Sequence, residues 1–146
     1  MILLDTDTLS IYQNPVNPET PALRARIAAV PRDELIGTTI ITYEEQTRGW
    51  IGYVAKARTS AAQLLAYERL QRHLDYWRDL RTIAFDAAAI AEFERLKSLR
   101  LLVGTSDLKI AAIALRQRAK LVSRNLKDFR KVPGLIVEDW TVPEPS

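Results

Sequence analysis

The chain has 146 residues, 47% of them hydrophobic and 27% charged, with a formal net charge of +3, which fits one domain with a sizeable core and excludes a disordered or fibrous chain. No apolar stretch approaches the roughly 18 residues a membrane-spanning helix needs, and Met1 runs into an apolar segment with no basic region or small-residue cleavage site, so a cytoplasmic location without membrane contact is expected. With no cysteine and His73 as the one histidine, disulfides, thiolate nucleophiles and cysteine-ligated metals are excluded, and a bound metal would take oxygen ligands, favouring Mg2+ or Mn2+ over zinc.

The first element is the apolar run Met1-Ile2-Leu3-Leu4, which ends on Asp5-Thr6-Asp7-Thr8. Such a run predicts a buried strand that delivers charge to its own C-terminal edge, where chemistry collects in parallel α/β sheets. A carboxylate there needs solvent, hydrogen-bond donors or a cation, and Thr6 and Thr8 are candidate donors. Asp7 or Thr8 is also a suitable N-cap for a short helix over Thr8–Tyr12. A proline-rich loop follows over Gln13–Pro21, then a helical pattern over Ala22–Val30. Glu34–Ile41, rich in β-branched residues, predicts a second strand.

A new helix is expected to begin at Thr42, and Glu45 stands three residues later, at capping-box spacing. If that helix starts at the same sheet edge as Asp5, Glu45 projects into the same crevice. Thr47–Leu80 reads as two helices broken around Arg58-Thr59-Ser60. Leu64, Leu65, Leu70, Leu74 and Trp77 recur there at helical spacing, which marks core or a partner surface. His73 lies among charged neighbours and is expected on a solvated helix face. Trp50, Tyr53, Tyr67, Tyr76 and Trp77 mark a protein interface if they are exposed.

Arg81–Phe85 predicts a third strand, and Asp86 an N-cap for a helix over Ala87–Leu99. Leu101–Asp107 is a connector whose Thr105 and Ser106 are expected to cap the helix Asp107–Arg118, leaving Asp107 in a first turn favoured by the helix dipole. Ile110, Ala111, Ile113, Ala114 and Leu115 make a flat face able to lie against a sheet. Ala119–Ser123 predicts a fourth strand and Arg124–Phe129 the turn after it, where Asn125 stabilises the turn and Asp128 starts one helical turn. Gly134–Glu138 predicts a last, edge strand before Trp140 closes the domain.

This alternation predicts an α/β fold of three layers, α/β/α, with a parallel sheet of four to five strands. One domain is expected over residues 1–140, followed by a short tail over 141–146. Asp5, Glu45, Asp107 and Asp128 all fall at strand C-termini or helix N-termini, positions that converge on one edge of a parallel sheet. Several carboxylates so crowded repel unless a divalent cation neutralises them, which points to metal binding.

With these residues in place, the chain resembles the PIN-domain ribonucleases, and among them the VapC-like toxins of type II toxin–antitoxin pairs. The resemblance rests on Leu4-Asp5-Thr6-Asp7-Thr8-Leu9-Ser10, Ile41-Thr42-Tyr43-Glu44-Glu45, Gly104-Thr105-Ser106-Asp107 through Ala114, and Leu121-Val122-Ser123-Arg124-Asn125-Leu126-Lys127-Asp128-Phe129 through Asp139-Trp140. It implies a Mg2+- or Mn2+-dependent endoribonuclease with catalytic carboxylates at Asp5, Glu45, Asp107 and Asp128, Asp5 and Asp107 as direct metal ligands, and Thr6 and Asn125 ordering the site. It also implies an RNA substrate, a VapB-like antitoxin partner, and a homodimer within a larger toxin–antitoxin assembly. The second acidic position reads onto Glu45 or Glu44, with Glu45 preferred for its spacing from Thr42; Asp7 stands where asparagine is often found, and either joins the metal site or caps the helix. Arg48, Lys109, Arg124, Lys127 and Arg130 are candidate RNA contacts.

Rival readings are a housekeeping RNA-processing nuclease of the same fold, a non-catalytic PIN-like binding module, and a haloacid-dehalogenase-like phosphatase suggested by Asp5-Thr6-Asp7. The last wants threonine or valine where Leu9 stands.

Overall fold

The computed structural model describes residues 1–144; residues 145 and 146 of the expected tail lie outside them. Five short strands, β1 (Ile2–Leu4), β2 (Ile36–Thr39), β3 (Thr82–Ile83), β4 (Lys120–Val122) and β5 (Val137–Glu138), form one sheet in the order β3-β2-β1-β4-β5. Every neighbouring pair is parallel, with Leu3 opposite Gly37 on one side and Leu121 on the other. The helices are α1 (Thr6–Gln13), α2 (Thr20–Ala28), α3 (Ile40–Lys56), α4 (Ser60–Arg78), α5 (Ala87–Ser98), α6 (Thr105–Arg116) and α7 (Leu126–Phe129). Among the described residues no helix is long and apolar enough to cross a membrane.

The pleat of β1 sorts the core into two layers, because successive side chains leave opposite faces of a strand. Leu3 packs with Phe93 and Leu96 of α5, Ile110 and Ile113 of α6, and Leu121 and Phe129. Ile2 and Leu4 pack on the other face with Leu9 of α1, Leu23 of α2, Trp77 of α4 and Trp140. The face of α6 expected to lie against the sheet does so: Ile110, Ala111, Ala112, Ile113 and Ala114 are buried. Each fully buried Leu or Ile contributes roughly 1.5–3 kcal/mol of transfer free energy. Gly37 keeps β2 and β3 together, since a Cβ there would stand 2.7 Å from the Arg81 carbonyl oxygen.

Several boundaries differ from expectation, and at α1 and α3 the reason is that a strand hands over to a helix with almost no connecting loop. Helix α1 is capped by Asp5, whose side chain accepts from the Thr8 N–H, rather than by Asp7 or Thr8. Helix α3 begins at Ile40 and is capped by Thr39, which ends β2 two residues early and leaves Thr42 inside the first turn. The capping box proposed for Thr42 and Glu45 is therefore absent, and Glu45 has no role in capping. Helix α6 starts at Thr105 after Gly104, which offers no side chain to cap it, so Thr105 and Ser106 sit inside the helix. The break between α3 and α4 falls at residues 57–59, with Thr59 as the cap.

His73 is buried rather than solvated, at 7% exposure. Its ring stacks on Tyr43 at 5.8 Å and meets Trp77 edge-on at 6.0 Å, and Nε2 lies 2.8 Å from the Thr47 hydroxyl. Charged sequence neighbours such as Arg72 and Asp75 occupy the other faces of α4, so proximity in sequence misleads about the side that packs on α3.

Candidate functional site

Asp5 stands at the C-terminal end of the central strand and is 5% exposed. Its Oδ1 accepts from the Thr8 N–H at 2.9 Å, and the Ser123 side chain, just past the end of β4, stands close enough to favour its charged form. Burial pushes the Asp5 carboxyl above the ordinary carboxylate range; Ser123 and Thr8 oppose that shift without cancelling it.

The other carboxylates arrive from three separate segments. Asp107, in the first turn of α6, is half-buried and also shifted upward, first by burial and then by the negative charges of Asp5 and Glu45. Asn125 caps α7 and directs its side-chain Nδ2 between two aspartates, donating to Asp107 Oδ2 at 3.2 Å and Asp128 Oδ2 at 3.1 Å. Asp128 is held below the usual range by Asn125 and by Lys131, whose Nζ is 3.3 Å from Oδ1. On the far side Thr6 donates to Glu45 Oε1 at 2.6 Å, and its oxygen lies 3.1 Å from the Thr42 hydroxyl.

The structure thus brings the charges of Asp5, Glu45 and Asp128 to bear on Asp107, with Thr6 and Asn125 bonded to three of the four acids. Among the described residues, no three acidic or imidazole side chains already close around one point; Asp5 and Glu45 each bond a separate donor, and Asp107 and Asp128 share Asn125. Asp7 and Glu44 are instead paired with arginines: Asp7, whose charge still reaches Asp5, is exposed and bonded to Arg124 at 2.7 Å, and Glu44 to Arg48 at 2.6 Å.

The basic candidates divide in the same way. Arg48 is neutralised by Glu44, Arg124 by Asp7 and Glu19, and Lys109 lies over the rings of Phe85 and Phe93. Lys127 and Arg130 remain exposed beside the site. Sequence reasoning missed two residues that touch the acids, Ser123 and Lys131. The only signal for Lys131 was its position three residues beyond Asp128 in a helical turn; Ser123 gave none beyond ending an apolar strand.

An acidic cluster at the carboxyl edge of a parallel, three-layered α/β/α sheet defines the class of the PIN fold. No family model matches the chain. It is similar over 139 residues to Ribonuclease VapC1 of Haemophilus influenzae, at 29% identity covering 95% of this chain and 97% of that one. It is also 42% identical over 45 residues to Ribonuclease VapC2 of Rickettsia felis, a match spanning 31% of this chain and 34% of the relative. Among solved structures, VapBC2 from Rickettsia felis bound to a DNA fragment from its promoter superposes with a TM-score of 0.72 at 25% identity, covering 96% of this chain and 99% of that one. Over nearly its whole length the chain is thus similar to VapC ribonucleases, and it shares the α/β fold of the solved VapBC2 structure.

Proposed function

We propose that the protein is a divalent-metal-dependent endoribonuclease and the toxin of a type II toxin–antitoxin pair. The observation that carries this reading is the meeting, at one sheet edge, of four carboxylates from segments as far apart as Asp5 and Asp128 in a chain similar over nearly its whole length to Ribonuclease VapC1. The donor set fits a hard cation: carboxylate, hydroxyl and amide oxygens surround the edge, with no thiolate in the chain and its one imidazole buried elsewhere.

Asp5 and Asp107 are the proposed ligands of Mg2+ or Mn2+. When bound, such an ion polarises a phosphodiester and lowers the pKa of water. The protein's own contribution is to fix the acids in place. The Thr8 N–H holds the Asp5 carboxylate through Oδ1. Asn125 sets the distance between Asp107 and Asp128. Thr6 holds Glu45 by Oε1, leaving Oε2 to take a proton from water attacking phosphorus in line, with a 3′-hydroxyl and a 5′-phosphate as products. Lys127 and Arg130 supply positive charge for the RNA backbone. A small VapB-like antitoxin is the proposed partner, and two copies of the chain pair in the assembly.

Purified protein incubated with RNA should cleave internally with Mg2+ or Mn2+, fail in EDTA, and fail as Asp5→Asn while its circular dichroism is unchanged. Full cleavage in EDTA, or by the Asp5→Asn protein, would overturn the mechanism.

A further inference from the structure

Beside the acidic edge, between the end of α1, the middle of α3 and the facing side of α4, lies a cavity of about 820 Å3 that no step above uses. It adjoins that edge through Gln46, the residue after Glu45, whose side-chain amide donates to Ser10 Oγ at 3.1 Å and Gln13 Oε1 at 2.9 Å one and two turns beyond Thr6 in α1; all three residues line the cavity. Residues 49–53 of α3 stand four to eight positions beyond Glu45, roughly 6–12 Å along the helix axis. That is the reach of a neighbouring nucleotide on a strand whose phosphodiester lies at the carboxylates.

The walls have the chemistry of a nucleotide site. Trp50 and Tyr53 meet edge to face at 5.8 Å, and the Arg69 guanidinium lies over the Tyr53 ring at 5.5 Å. Arg72 also lines the cavity, and among the described residues neither guanidinium has a carboxylate within salt-bridge distance. Three of the five basic residues nearest the sequence motifs are by contrast already engaged. At Gly49 nothing stands within 4 Å of where a Cβ would be, so the floor is open. Unstacked bases bind on aromatic and guanidinium planes, and cations hold their phosphates. The exposed aliphatic residues an amphipathic protein segment would seek, Leu64, Leu65 and Leu74, lie outside this lining.

We propose that this cavity is a base-binding subsite for the RNA strand, with the Tyr53 and Arg69 planes receiving an unstacked base and Arg72 its phosphate. It rests on the ribonuclease reading. It sets which position of an RNA is cut, whereas the carboxylates set whether any is.

The test compares kcat/KM on a randomised 12-nucleotide single-stranded RNA with that on a dinucleotide, which spans the carboxylates alone. Tyr53→Ala and Arg72→Ala should lower the ratio of long to short substrate roughly fivefold to a hundredfold, the range for loss of one base–aromatic contact. Tyr53→Phe should restore it, and sequenced cleavage products should show a flattened base preference at one position. Gly49→Leu, which fills the floor without meeting any neighbour, should lower the ratio in the same way and guards against a misfolded alanine variant. A ratio unchanged in all three variants overturns the subsite while leaving the ribonuclease standing; absence of RNA cleavage by the wild-type chain overturns both. Variants that keep their RNA kinetics but lose a co-expressed protein partner reassign the cavity to that partner and likewise overturn the proposal.

Discussion

The carboxyl edge of the sheet and the α3–α4 hairpin are both assembled from distant residues, yet they spend their polar groups in opposite ways. At the edge, burial penalises the charge of Asp5 and Asp107, and the four acids are held by donors in the first turn of α1 or by the cap of α7. On the hairpin, Leu64, Leu65, Tyr67 and Leu74 face outward while His73 and Trp77 are buried. One region crowds acids where burial penalises their charge; the other leaves apolar side chains in contact with solvent.

The largest expected effect belongs to the edge. Asp5→Asn should reduce RNA cleavage by on the order of a thousandfold or more, comparable with losing a principal electrostatic contact at a reacting centre. Its melting temperature should hold, because asparagine caps a helix as well as aspartate does. A drop in stability to match the drop in activity would mean that Asp5 is structural.

The core that aligns the edge comes next. Ile110→Ala should cost about 2–5 kcal/mol by urea denaturation, since Ile110 is fully buried between α6 and the sheet. Thr39→Ala should cost about 1 kcal/mol by removing the cap of α3, and should also lower cleavage through the displaced Glu45. An unchanged rate there would separate the position of Glu45 from the chemistry.

Two smaller effects belong to the hairpin. Burial lowers the pKa of His73, so the unfolded chain takes up a proton before the folded one does. Its contribution is therefore complete above the unfolded value of about 6.5 and declines as the pH falls below it. Thermal melts from pH 8 to pH 5 should show that decline, and His73→Phe should remove it. Leu64→Gln should change stability by less than about 0.5 kcal/mol, because Leu64 is 64% exposed. A larger loss would mean that the outward leucines pack on something in the isolated chain.

Much of this was legible residue by residue. Short apolar and β-branched runs located the strands and helical spacing with N-cap residues the helices, and the strand-then-carboxylate pattern at Asp5 and Ser123-to-Asp128 flagged the edge. The limits of β2 and the cap of α3 were not, because Thr39 and Thr42 are equally good caps in isolation and only the length of β2 in the sheet selects between them. Nor was the choice between Glu44 and Glu45 secured by spacing alone. Adjacent helix positions point about 100° apart, so one meets Thr6 and the other Arg48.

The sequence by itself determined the parallel α/β/α layering, since apolar periodicity and caps are local properties that burial then enforces. It also determined that any chemistry would use oxygen donors, because the chain contains no thiol. Only the tertiary structure decided which acids act on Asp107, that Asp7 and Glu44 pair with arginines, that His73 is inside, and that Arg69 and Arg72 border a cavity also lined by Gln46. Those outcomes depend on the facing of side chains between elements far apart in the chain, and no local pattern encodes what a neighbouring helix will present.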